Sequence, residues 1–143
     1  MKKLKSERFN IQVDHLTSKI DREPRTITKS VLITNDQMTV NYRKYNESCY
    51  LAIDDHRQIN RWHVGGIMGI GRNMEMSLFA LFLMKSVDED HLRGVLKLFF
   101  TVNEAKPQTF VTQTDYLYEK TLLDLKKEGF LLSEHVFDFA TNS

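Results

Sequence analysis

The sequence has few residues of the kinds that build covalent or metal-dependent sites. It contains one cysteine, Cys49, so it forms no internal disulfide and no cysteine-based zinc site. None of its five histidines pairs with another at metal-ligand spacing, and neither His-Glu-x-x-His nor Gly-x-Ser-x-Gly occurs. We therefore expect no metal, no cofactor and no catalytic residue of these common types.

The chain also lacks a strong charge of either sign and a long apolar run. A formal net charge of +1 argues against binding nucleic acid by bulk charge alone. The apolar run at 74–84 is shorter than the roughly 20 residues of a membrane-spanning helix. The basic first residues are not followed by the apolar segment of a signal peptide. We expect a cytoplasmic protein of a reducing compartment, without a transmembrane segment.

Four of the six glycines fall within 65–71, directly before the apolar run. Backbone amides of such a loop at a helix start can hold an anion, because the helix dipole is positive there. The same glycines can also make a tight crossover from sheet to helix without any ligand. The anion or nucleic-acid contacts predicted here are Arg61, His63, Gly69, Gly71 and Arg72.

Residues 74–84 are apolar almost without interruption. A helix that is apolar all round is buried in a core or an interface, so we predict a central buried helix here. The Met and Phe content of this segment also suits self-association or a groove for a partner.

The chain ahead of the glycines has the pattern of strands. Apolar and polar residues alternate, or β-branched residues cluster, in five segments: 8–14, 26–33, 38–42, 49–53 and 59–64. Polar residues predict an exposed loop at 17–25, and turns are expected at 35–36, 46–47 and 54–57. The prediction is an antiparallel meander of about five strands with one apolar face.

The chain behind the apolar run has mainly helical signals. Residues 91–103 fit both helical and strand spacing, and we favour a helix. A loop at 103–111 precedes a helix at 115–128, which Gly129 ends, and a strand follows at 130–139. The whole predicts one α+β domain, 1–143: mainly β over 1–64, a glycine-rich crossover at 65–71, and mainly helical with a final strand over 72–143.

Residues 112–132 carry one resemblance to a known family. Thr112-Gln113-Thr114, the leucine-rich helix 115–128 and the following Gly129-Phe130 resemble the recognition helix and first wing strand of winged-helix DNA-binding proteins. The resemblance implies that DNA-facing side chains contact the major groove or phosphates, namely Thr112, Gln113, Thr114, Tyr116 and Lys120.

A second resemblance includes the glycines. The glycine-rich segment, a possible strand at 95–102 and Tyr118-Glu119-Lys120 in a helix ending at Gly129 are similar to the later half of GNAT acetyltransferases. This resemblance implies coenzyme A bound at the 65–71 loop and Tyr118 as a general acid.

A third interpretation requires no active site. A sheet in the more basic half of the chain, an apolar central segment and the absence of a catalytic constellation are typical of small self-assembling or partner-binding proteins. Viral and phage accessory or structural proteins that contact nucleic acid often have this composition. We favour a non-enzymatic binding protein whose partner is a protein, including a second copy of itself, or a nucleic acid.

Overall fold

Seven strands form one sheet in the computed structural model, which describes residues 8–20, 23–71, 74–104, 106–107, 109–112, 116–130 and 135–137. The strands are β1 (Phe9–Ile20), β2 (Glu23–Asn35), β3 (Ser48–Ile59), β4 (Trp62–Ile70), β5 (Met76–Met84), β6 (Thr109–Thr112) and β7 (His135–Phe137). The helices of the described part are α1 (Asp36–Tyr45), α2 (Glu89–Val102) and α3 (Tyr116–Lys127).

The strand order across the sheet is β1-β2-β5-β4-β3-β6-β7. The first five strands in this order pair antiparallel, whereas β6 pairs parallel with both β3 and β7. The predicted α+β class is confirmed: the sheet is mostly antiparallel, and helices interrupt and follow it.

The structure corrects the prediction of a buried helix at 74–84. Its residues Met76–Met84 form the strand β5, which lies between β2 and β4 in the sheet. Both faces of β5 are apolar, so its sequence shows no alternation and is indistinguishable from an all-round apolar helix. The chain after residue 72 is therefore less helical than predicted.

The prediction of a glycine-rich crossover at 65–71 is also wrong, because Gly65, Gly66 and Gly69 lie inside β4. Aromatic rings lie directly against two of these glycines. A β-carbon placed on Gly65 would lie 2.2 Å from Phe82 Cζ, and one on Gly69 would lie 2.2 Å from Phe79 Cζ. Glycine in a strand often marks such a close approach. These two glycines provide space for two phenyl rings of the neighbouring strand.

The strand predicted at 38–42 is part of α1. Asn35 caps this helix, since its side-chain oxygen accepts a hydrogen bond from Met38 N at 2.8 Å. Met38 and Tyr42 are both buried and stand four residues apart, which is helical spacing. The predicted turn at 35–36 is thus a helix start, because Asn and Asp favour both structures.

The loops and turns between the early strands differ from the prediction in three places. Instead of a loop at 17–25, β1 and β2 continue as a hairpin paired from Phe9↔Asn35 to Ile20↔Glu23, because backbone pairing does not depend on side-chain polarity. The expected turn at 54–57 is an irregularity within β3. The expected strand at 59–64 is broken by Asn60 and Arg61, whose φ angles of 48° and 69° form a two-residue hairpin turn.

The later helices follow the sequence closely. Asp88 caps α2 by accepting a hydrogen bond from His91 N at 2.9 Å. Gly129 follows α3 with φ of 86°, the left-handed conformation that ends many helices. The predictions of helices at 91–103 and 115–128 are confirmed, and part of the final strand is present as β7.

The core lies between the helices and one face of the sheet. Tyr42 of α1 stacks edge-on against Phe79 of β5 and Phe99 of α2, with ring centroids 5.2 and 5.0 Å apart. Phe100 of α2 meets Phe110 of β6 in the same way. The buried cluster also includes Tyr118, Leu122 and Leu125 of α3. The helices therefore lie on the same side of the sheet.

Candidate functional site: the open face of the sheet

The two faces of the sheet differ in their covering. Strand pairing places Leu32, Phe82, Ile67 and Leu51 on the face that packs against the helices, and each is fully buried. Successive side chains alternate between faces, so the intervening residues of these strands lie on the other side. The exception is the register shift at Phe79, which places Phe79 and Ala80 on the same, helix-covered face. No described helix packs there, and we call this surface the open face.

The open face is apolar across five neighbouring strands. Registered pairs such as Val13↔Val31, Val31↔Leu83, Leu83↔Val64 and Val64↔Asp54 place its residues side by side. Its apolar members are Phe9, Ile11, Val13, Val31, Ile33, Met76, Leu78, Leu81, Leu83, Trp62, Val64, Gly66, Met68, Ile70, Tyr50 and Ala52.

The side chains of the open face are more exposed to solvent than those of the core. Ile11 is 61% exposed, Phe9 48% and Met76 64%, while residues nearer the middle, such as Ile33 and Leu81, are half-buried. Neighbours on the same face of a sheet shield one another, which accounts for the half-burial. Apolar residues scattered singly over a surface are ordinary, but a contiguous apolar patch marks an interaction site.

Polar groups at the described strand positions occur at the margin of the open face. His15 and Thr28 pair on its β1–β2 side, and Asp54 lies on β3. Just outside it, the Lys85 ammonium lies 5.4 Å from the centre of the Trp62 ring. An apolar centre with a polar margin is the usual organisation of a protein–protein interface.

The predicted anion contacts do not form one site. Gly69 is buried in β4, and the glycines lead into a strand, so no helix start follows them. Arg61 is exposed in the β3–β4 turn and His63 lies at the beginning of β4, at the end of the strand opposite Gly71. Arg72 lies outside the described residues.

The residues of the winged-helix resemblance are also spread out. Thr112 is buried in β6, while Tyr116 is 72% exposed at the start of α3, and Gln113 and Thr114 lie outside the described residues. Lys120 donates a hydrogen bond to Asp124 at 2.9 Å, which raises the pKa of Lys120. The strand β6 separates α2 from α3, so these helices are not joined by the short turn of a helix-turn-helix motif.

The residues of the acetyltransferase resemblance occupy different surroundings. Tyr118 is 5% exposed and belongs to the core cluster, whereas Gly66 lies on the open face.

Burial raises the pKa of the Cys49 thiol, which is fully buried. That thiol is neutral and inaccessible at physiological pH.

Polar clusters outside the open face stabilise helices. His91 Nδ1 lies 2.7 Å from Asp88 Oδ1 at the start of α2, and Arg93 joins α2 to α3 through Asp124 at 2.8 Å.

Groups of three or more potential metal ligands are not found in the described part of the chain. Within that part, no helix is long and apolar enough to cross a bilayer.

A cavity of about 540 Å³ adjoins the open face at the Ile70 end of β4. Tyr50 and Ile70 belong to both the cavity and the open face, and Tyr45 and Gly71 form part of the remaining wall. Lys44, Glu47 and Ser48 also line the cavity, so the surface toward the start of β3 is of mixed polarity.

Sequence reasoning missed the open face because it assigned β5 to a helix. The signal was present, since a nine-residue segment that is apolar except for Ser77 also fits a strand covered on both faces. The contacts of Gly65 and Gly69 with Phe82 and Phe79 exist only once β4 and β5 are paired, so they gave no signal in the sequence.

Comparisons of this chain with protein families, with curated proteins and with solved structures found no match.

Proposed function

We propose that this chain is a non-enzymatic binding protein that associates with another folded protein chain through the open face of its sheet. The observation that carries the proposal is the apolar composition of this face on five neighbouring strands. The strand β5 has the composition of a strand covered on both faces, yet described helices cover only one of them. A partner chain would supply the second layer.

The charge of the open face favours a protein over a nucleic acid. At the positions of this face whose side chains are described, the acidic or basic residues are Asp54 and His15, and the Lys85 ammonium lies at the margin over the Trp62 ring. Nucleic-acid binding depends on cations that replace the counterions of the phosphates. Protein interfaces, in contrast, are depleted of charge at their centre.

A pair of matched substitutions tests the proposal. Ile11→Glu places a carboxylate on the open face at a residue that is 61% exposed, so the fold should tolerate it. Leu123→Glu is the control, because Leu123 is 48% exposed on α3, on the helix side of the molecule. Circular dichroism establishes that both variants fold.

Two measurements then report on the open face. Sedimentation equilibrium shows whether the wild-type mass exceeds the 16.8 kDa of one chain. If it does not, an apolar fluorescent dye such as ANS measures how accessible the face is. We expect Ile11→Glu to weaken the observed association or dye binding by about tenfold or more, and Leu123→Glu to leave it unchanged. A monomer that binds no dye, or equal effects of the two substitutions, would contradict the proposal.

A further inference from the structure

We infer that the partner on the open face is a second copy of this chain, packed sheet against sheet about a twofold axis. The inference rests on the proposed function of the open face and names its partner. It is supported by the symmetry of the face, by its area and by its charge.

The arrangement of strands in the open face allows the faces of two copies to pack against each other. A twofold interface uses the same patch on both copies, so the patch must be self-complementary. The strand β5 is the middle one of the five strands, with β2 and β1 on one side and β4 and β3 on the other. Leu81 and Leu78 lie near the centre of this strand. A twofold axis that runs parallel to β5, midway between the two copies, therefore lays one apolar face on the other.

The area of the open face is that of a dimer interface. Five strands about 4.8 Å apart, with about eight residues of about 3.3 Å along β5, give a projection of roughly 600 Å². Each partner in a stable protein–protein interface contributes about 600 to 1,000 Å². Two sheets packed face to face stand about 10 Å apart, with side chains from both filling the space between them.

Charge does not oppose the pairing of two identical faces. The centre of the face carries no charged side chain at its described positions, so two copies bring no like charges together there. Asp54 lies on the β3 side and His15 on the β1 side, near the same level of the sheet. An axis parallel to β5 exchanges these two sides, so the two Asp54 residues of a pair lie on opposite sides of the interface.

A cysteine introduced into the open face can report its burial by a second copy. The native Cys49 is fully buried and its thiol pKa is raised, so it should not react in the folded protein. Leu81→Cys places a thiol at the centre of the face, and Ile11→Cys places one near its edge. Leu123→Cys on α3 is the control, and the purified chain is the only protein present.

The rate of thiol modification is measured over a range of protein concentrations, alongside sedimentation equilibrium. We expect a mass that rises toward two chains and a modification rate of Leu81→Cys that falls at least about tenfold over the same concentrations. The rate of Ile11→Cys should fall in parallel, and that of Leu123→Cys should stay constant. Ile11→Cys still decides the question if Leu81→Cys does not fold.

Constant rates at both open-face positions would overturn the inference, whether the chain is a monomer or dimerises through another surface. The proposed function is tested separately by the dye. A monomer whose dye binding is lost in Ile11→Glu retains an accessible face, which requires a different protein partner. A monomer that binds no dye would overturn both.

Discussion

Replacing Gly65 by alanine should destabilise the protein, whereas replacing the adjacent Gly66 should not. A β-carbon on Gly65 would lie 2.2 Å from Phe82 Cζ and 2.8 Å from the carbonyl oxygen of Ala52. On Gly66 the nearest atom would be the terminal methyl of Met68 at 3.4 Å, which is ordinary van der Waals contact. The two substitutions add the same methyl group to opposite faces of one strand.

The size of the stability loss depends on which atoms must move to make room for the new methyl group. The Phe82 ring is fully buried in the core, so it cannot turn into solvent, and the Ala52 oxygen belongs to the backbone of β3. Overpacking of this kind costs about 1–3 kcal/mol, and the fixed oxygen places Gly65→Ala near the upper end. Gly66→Ala should change the free energy of unfolding by about 0.5 kcal/mol at most, or raise it slightly, because alanine reduces the entropy of the unfolded chain.

Urea unfolding at one fixed protein concentration provides the assay, since association would make stability depend on concentration. Trp62, the single tryptophan, lies in β4 and reports on the strand that carries both glycines. A loss of about 3 kcal/mol would lower the melting temperature by roughly 10 °C. If Gly65→Ala were as stable as the wild-type protein, Phe82 would not pack over Gly65, and the pairing of β4 with β5 would be wrong.

Two further predictions concern helix ends. Asp88→Ala should cost about 1 kcal/mol at neutral pH, because the carboxylate caps α2. Burial raises the pKa of Asp88, but hydrogen bonds from His91 outweigh it and the net pKa is lowered. The stabilisation is therefore fully present above the unfolded value of about 4 and is lost as pH falls through the lower folded value, so wild-type and variant unfolding curves should converge in acid. Equal separation at pH 7 and pH 2 would show that the charge is not involved. Gly129→Ala should cost about 1 kcal/mol by thermal unfolding, since φ is 86° and no side chain crowds the position. Unchanged stability would show that the end of α3 adopts another conformation.

The glycine-rich segment shows how a local signal depends on its neighbours. Glycines before an apolar run are compatible with a helix start, a crossover or a strand that faces large rings. The choice was made by Phe79 and Phe82 on the paired strand, whose rings lie over Gly69 and Gly65. The sequence contained all four residues, but their opposition exists only after β4 and β5 pair.

The sequence by itself determined the features that depend on local chemistry. The caps and apolar spacing of α2 and α3, the turn at 46–47 and the α+β class follow from residues close in the chain, because helix ends and turns satisfy their own backbone groups. The buried state of Cys49 also follows from its place in an apolar strand.

Only the tertiary structure decided that Met76–Met84 is an interior strand of the sheet and that an apolar face remains open. Such a segment can satisfy its backbone hydrogen bonds within a helix or with neighbouring strands. Here β2 and β4, far apart in sequence, provide those partners on either side of β5. Which face the helices cover depends on how the whole chain packs, and the proposed binding surface is the face left over.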